Sequence, residues 1–307
     1  VGEEGGSPFD LVEAAAFLLE KSDHLIQGNY VAPTRPEMTA SEFADRLQRA
    51  IDAYFIDDKV EVRIDDALSA KAIAGTTRIR IRASALFSDL DFDQLFQHEA
   101  LIHTATAING RRQPRLKSMA LGAPRTTRTQ EGIAVFAELV TRSIDISRLR
   151  RLAVRIQALK HALDGADFIE VFKTFLETGQ DEREAYKSAQ RIFRGGDVRG
   201  GVAFTKDSAY LKGLMETHVL LNLAIRDNRP QVIERLFAGR LTHSDTVTLG
   251  PYFETGFLSR PHYVPPWAKD TRRLAASLAY SSFMIKVVLG ALSLYHVVAA
   301  AERADEA

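Results

Sequence analysis

"QHEALIH", residues 97–103, sets two histidines and a glutamate in one short run, and its reading decides the fold. His98 and His103 stand five positions apart. At about 100° per residue an ideal α-helix brings position i+4 nearly back to the starting face, whereas i+5 lands roughly 140° away. For both imidazoles to share one ion, a turn must take up an extra residue, as a π-bulge does, and such bulges gather at functional sites. The run therefore predicts a distorted helix. A second pairing stays open on spacing alone: Glu99 and His103, four apart, would share a regular face as ligands, which would consume Glu99 as a base. The bland reading is an amphipathic helix with one exposed histidine and one satisfied in the core.

A catalytic zinc takes three protein ligands and keeps a position for water, so the reading needs a third His, Asp or Glu nearby. The chain has no cysteine, which removes thiolates from the choice. Glu131, in "QEGIA" at 130–134, is the candidate. Thr129 is expected to cap the helix "QEGIAVFAELVTR", and a glutamate in its first turn could equally be held by the helix dipole.

Outward from these two motifs the pattern is mostly helical. Ser7 and Pro8 open a helix that Gly28 closes; Thr39 and Glu42 form a capping box ahead of Phe43, Leu47, Ile51 and Tyr54 on one face. The period then changes to two. Val60, Val62 and Ile64 predict one strand, and Ile79 and Ile81 between Arg78, Arg80 and Arg82 predict another. The metal helix should stop at Asn109 and Gly110, which tolerate positive φ, before a basic connector over 111–128. Helices follow from Ser147, over "ADFIEVFKTFLET" to Gly179, from Asp181 to Phe193, over "FTKDSAYLKGLMETHVLLNLAIRD", and from Pro230. The apolar run 284–301 falls short of the roughly 20 residues a bilayer core demands, and reads as a buried terminal helix.

With 307 residues and 46% hydrophobic content the chain can bury a substantial core. Forty basic and forty acidic side chains cancel, so no global field draws it to nucleic acid or anionic lipid. The first residue is Val, which suggests a trimmed chain, so a missing leader excludes nothing and the cytoplasm is only the default compartment. Neither an oligomeric state nor a partner subunit is legible.

"HEALIH" followed by "QEGIA", whose Glu131 stands 33 positions after His98, resembles the bacterial QEGLA-motif family, given as modulators of flavohemoglobin expression, and the microtubule-associated tyrosine carboxypeptidases. The likeness extends through "AINGRRQP" and, more loosely, "GGVAFTKDSAYLKGL". It implies an HExxxH…E zinc site: His98, His103 and Glu131 as ligands to one Zn2+ per chain, and Glu99 as catalytic acid/base. Leu101 and Ile102 are bulkier than the family's usual residues there, and Ile133 replaces the leucine of QEGLA.

The expectation is a zincin-like metallopeptidase of predominantly α-helical α+β class, with a small sheet beside the HExxxH helix. It is taken as one domain over 1–307: N-terminal helices to 58, sheet and zinc helices over 59–145, and a helical part over 146–307. The implied function is a metallocarboxypeptidase acting on a peptide or protein C-terminus, with water deprotonated by Glu99. A terminal carboxylate calls for Arg or Lys. Arg111 and Arg112, Arg191 and Arg194, and Lys206 compete for that role, and Tyr210, a turn beyond Lys206, could donate to the oxyanion. The strand "RIRIR" is expected as an edge that pairs with the substrate backbone. The rival from another class is a catalytically silent regulatory or scaffolding protein that kept the metal fold; an intact Glu99 argues against it.

Overall fold

The capping box read at Thr39 is formed: Glu42 N donates to Thr39 Oγ1 at 3.3 Å and Thr39 N to Glu42 Oε2 at 2.8 Å. It opens helix α2 (Ala40–Tyr54), whose Phe43, Leu47 and Ile51 are fully buried. The computed structural model describes residues 10–26 and 37–284. Helix α1 (Leu11–Ile26) precedes α2, with the Asp10 carboxylate accepting from Val12 N at 2.8 Å. Ser7, Pro8 and Gly28 lie outside the described residues, as does all of the apolar run after Met284.

Strands β1 (Glu61–Asp65), β2 (Ala72–Ala74) and β3 (Arg78–Arg82) form a sheet of order β1-β3-β2, parallel between β1 and β3 and antiparallel between β2 and β3. Ile79 and Ile81 of β3 are fully buried against Phe43, Leu47 and Ile51, while Arg78 and Arg80 face out, as alternation requires. The expected edge role of "RIRIR" is wrong: β3 is central, with a neighbour on each side. The edge is β2. Its three residues are too few to show a period.

Ser88 and Asp91 cap α3 (Asp89–Leu95), which runs straight into a π-helical segment, Phe96–Thr104, and then α4 (Ala105–Arg112). The expected stop at Asn109 and Gly110 does not occur, because tertiary contacts override their turn propensity. The buried Asn109 amide donates to the carbonyls of Phe237 and Tyr263, both at 2.7 Å, and accepts from Tyr263 N at 2.9 Å. A Cβ at Gly110 would lie 2.4 Å from the Met119 carbonyl carbon, so glycine is there for close approach within a regular helix.

Helix α5 spans Pro124–Val140, so it begins five residues before the expected cap and Thr129 lies inside it. Pro124 stands at its first position, and Ala123 N donates to Thr126 Oγ1. Then come α6 (Ile146–Leu163), capped by Asp145 rather than opened by Ser147, α7 (Phe168–Glu177) and α8 (Glu182–Ile192). A 3-10 turn at Thr205–Asp207 leads into α9 (Ser208–Arg226), and α10 is Pro230–Arg235. Beyond it come three short helices, α11 (His243–Thr248), α12 (Gly250–Glu254) and α13 (Pro266–Lys269), before α14 (Thr271–Met284). Among the described residues no helix is long and apolar enough to cross a membrane.

The fold is thus α+β and predominantly helical. One apolar cluster joins α2, the sheet, and Ala100, Ala105 and Ile108 of the histidine-bearing helix; another joins Ile102 to Ile133, Phe136, Leu221 and Phe237. The histidine-bearing segment is wedged between the two, which fixes its backbone from both sides.

Candidate metal centre

The π-helical segment takes five-residue bonds, such as Ala105 N to Ala100 O, and its wider turn returns His103 to the face of His98. The expected single bulge is a nine-residue stretch. The two rings meet edge to face with centroids 4.8 Å apart. Glu131, from the second turn of α5 rather than a capping turn, places Oε2 3.5 Å from Nε2 of both histidines. One ligand atom from each of the three lies within 4.8 Å of the others. The reading with Glu99 as a ligand is not what the geometry assembles.

The group fits a cation. Glu131 Oε2 is buried and has no hydrogen-bond partner among the described residues, so a polar atom is held in place with nothing to satisfy it. Burial pushes the Glu131 carboxyl up, yet His103 and His98 outweigh it and hold the pKa well below the usual range. Burial likewise opposes protonation of His98, and Glu131 and Glu138 overcome it. A metal ion bound there would take the place of that proton, since imidazole ligates in its neutral form.

His98 is oriented from behind. Its Nδ1 donates to Glu138 Oε1 at 2.6 Å, which leaves Nε2 as the lone-pair nitrogen facing Glu131. Glu138, fully buried, accepts from Arg148 Nε and Nη2, both at 2.9 Å. Burial raises the Glu138 carboxyl, but the Arg148 guanidinium holds it down to about 2. Glu138 escapes the motifs. Its seven-residue spacing from Glu131, two turns along an otherwise apolar face, is the trace it leaves in the sequence.

The QEG triplet has a structural reading residue by residue. Gln130 Oε1 accepts from Thr106 Oγ1 at 2.9 Å, tying α5 to α4. Gly132 allows α5 and α9 to touch: a Cβ there would lie 2.2 Å from the Gly213 carbonyl carbon, and one on Gly213 would lie 2.1 Å from Arg128 O. That approach brings the start of α9 to Glu131. Gly132→Ala is expected to destabilise by about 1–3 kcal/mol through overpacking, seen as a lowered thermal midpoint. An unchanged midpoint would disprove the crossing as the reason for glycine.

The centre opens into a cleft of about 540 Å³. Glu99 lines it opposite the edge strand, with Oε2 accepting from Ala74 N at 2.9 Å. Since Gly75 N and the Lys71 carbonyl bond to β3, strand parity turns the N–H and C=O groups of Ala72 and Ala74 outward. The far wall is basic: Arg148, Arg151 and Arg155 from α6, Lys187 and Arg191 from α8, and Arg194 just beyond it.

The expected substrate residues divide. Arg191, Arg194 and Tyr210 line the cleft. Lys206 does not, but its Nζ stands 3.8 Å from Glu131 Oε1. Arg112 is elsewhere, bonding Asp58 through Nε at 2.9 Å and Nη2 at 2.5 Å, and so clamps α4 to the chain after α2. Arg111 also faces Asp58. Burial, then the Glu131 carboxylate, pushes the Tyr210 hydroxyl well above its ordinary value, so it stays protonated as a donor. In the turn between α8 and α9, Gly200 approaches the backbone after α6, since a Cβ there would lie 2.3 Å from Gly165 O. The α6 arginines were not legible as a cleft wall, though their spacing of three and four puts them on one helical face.

No individually curated protein matches the chain. The family model described as microtubule-associated tyrosine carboxypeptidase matches residues 4–286, nearly the whole sequence, and the chain belongs to that family.

Proposed function

We propose that this protein is a zinc-dependent metallocarboxypeptidase, with Glu99 as general base and then general acid. Family membership supports the coarser part, a peptidase acting on a peptide or protein. The finer part rests on one observation: three convergent ligand atoms, with Glu99 beside them, at the head of a cleft whose far wall is cationic. Two imidazoles and one carboxylate, with no thiolate and no fourth protein ligand in the described group, suit a catalytic zinc rather than a structural one.

Zinc held there would polarise a carbonyl and bring water toward neutrality in pKa. The rest is work for the side chains. Glu99 takes a proton from water at its carboxylate and returns it to the leaving amine, while the Ala74 N–H fixes the place of that carboxylate. Tyr210 is suited to donate its hydroxyl proton in a hydrogen bond to the oxyanion as charge develops. The outward backbone groups of β2 suit strand addition by the peptide. Ala74 N is already engaged by Glu99, so Ala72 is the position that aligns the main chain. The family description names tyrosine, which makes a C-terminal tyrosine the first residue to test.

Purified protein is expected to carry close to one zinc per chain by elemental analysis, with His98→Ala and His103→Ala each losing it. Full retention in both would end the metal assignment. Amidating the C-terminus of a cleaved peptide should lower kcat/KM by at least about a hundredfold, roughly 2.7 kcal/mol of transition-state stabilisation. Equal cleavage of acid and amide would identify an endopeptidase instead.

A further inference from the structure

We infer that Arg151 is the residue that binds the substrate's terminal carboxylate, as the half-buried guanidinium of the cleft wall that has neither an ion pair nor a hydrogen bond among the described residues. The inference rests on the carboxypeptidase reading and supplies its specificity determinant.

The other cations of the wall are occupied or exposed. Arg148 is bound on two nitrogens by Glu138. Arg191 is held by both oxygens of Asp207, at 2.7 and 2.9 Å, and Arg155 Nε lies 3.6 Å from the same carboxylate. Lys71 bonds Asp91 at 2.7 Å, and Arg82 donates to Ser69 O at 2.8 Å. Lys187 and Arg194 are exposed, where water stabilises a free charge, and Arg194 lies over the Phe204 ring at 5.8 Å. Lys206 is drawn to Glu131, a candidate metal ligand.

Arg151 differs from all of these. It lines the cleft with Glu99 and His98, is partly buried, and has neither an ion pair nor a hydrogen bond among the described residues. The charged groups that act on it do so through space: Arg148 repels it, and Asp145, Glu184 and Asp91 attract it. Asp145 is committed to capping α6, and Asp91 to Lys71 and the α3 cap. A partly desolvated cation without a partner is costly, and an entering carboxylate removes that cost with a planar two-bond contact that lysine cannot copy.

Its place is also suitable. One turn of α6 separates Arg151 from Arg148, which reaches His98 through Glu138. The clamp is therefore fixed to the metal ligands through rigid contacts, as a carboxypeptidase needs if only the last residue is to be removed.

The test compares acid and amide forms of an N-acetylated peptide library, randomised before a C-terminal tyrosine, on the zinc-loaded protein. In wild type the acid should be favoured at least about a hundredfold in kcat/KM; in Arg151→Gln the ratio should fall to within about threefold of one, with Arg151→Lys between. A fold defect that scales both rates cancels in this ratio. Retention of the acid preference in Arg151→Gln overturns the assignment and leaves the carboxypeptidase reading intact, especially if Arg194→Gln loses it. No acid preference in wild type overturns both. Binding of the same two libraries to Glu99→Gln gives a readout without turnover: a preference for the acid that Arg151→Gln abolishes supports the clamp even if the protein hydrolyses nothing.

Discussion

Glu99→Gln is expected to lower kcat by about a thousandfold while the protein keeps its metal. A positioned general acid/base contributes typically about 10² to 10⁴ in rate, and Glu99 is asked to serve twice, on water and on the leaving amine. The glutamine is nearly isosteric, and its carbonyl oxygen can still accept from Ala74 N, so edge strand and metal helix should stay in register. What it cannot do is take the proton. Steady-state assays on a peptide ending in tyrosine, with zinc content measured on the same sample, decide the matter. Activity within tenfold of wild type at full zinc would remove Glu99 from the chemistry. Loss of the zinc would instead make Glu99 a ligand, the pairing with His103 that helical spacing alone had left open.

How far such a site can be read ahead of a structure depends on the sequence distance over which each decision is taken. Local decisions were legible. Thr39 and Glu42 form their capping box three residues apart, and the five-residue gap between His98 and His103 required the helix distortion that is present. Decisions taken across the chain were not. Asn109 and Gly110 favour a stop, but buried amide bonds to Phe237 and Tyr263 and the close backbone of Met119 keep them helical. Strand β2 exists because β3 pairs with one side of it and Glu99 engages the other, which no property of "AIA" announces. The arginines show the same limit most plainly. Arg112 and Arg151 are alike in a sequence, and only the fold shows that one finds Asp58, 54 residues away, while the other finds no carboxylate among the described residues.

The contact between Glu138 and Arg148 should be the most sensitive point behind the centre, and its two duties can be separated. Glu138→Ala is expected to destabilise the metal-stripped protein by about 3–5 kcal/mol, because it leaves the Arg148 guanidinium without its partner in a poorly solvated place. Independently, His98 loses the acceptor that holds its Nδ1 proton and aims Nε2, which should weaken zinc binding about 10–100-fold. Removing the arginine as well tells these apart. In Glu138→Leu combined with Arg148→Leu no charge is stranded, so much of the stability should return, since replacing both members of a buried ion pair with apolar groups is commonly tolerated. The zinc affinity should not return, because His98 still lacks its acceptor. Chemical denaturation of stripped protein and competition with a zinc chelator measure the two quantities separately. If affinity recovered along with stability, Glu138 would act on the metal only through the fold; if Glu138→Ala changed neither quantity, the line from α6 through Glu138 to His98 would carry no energy.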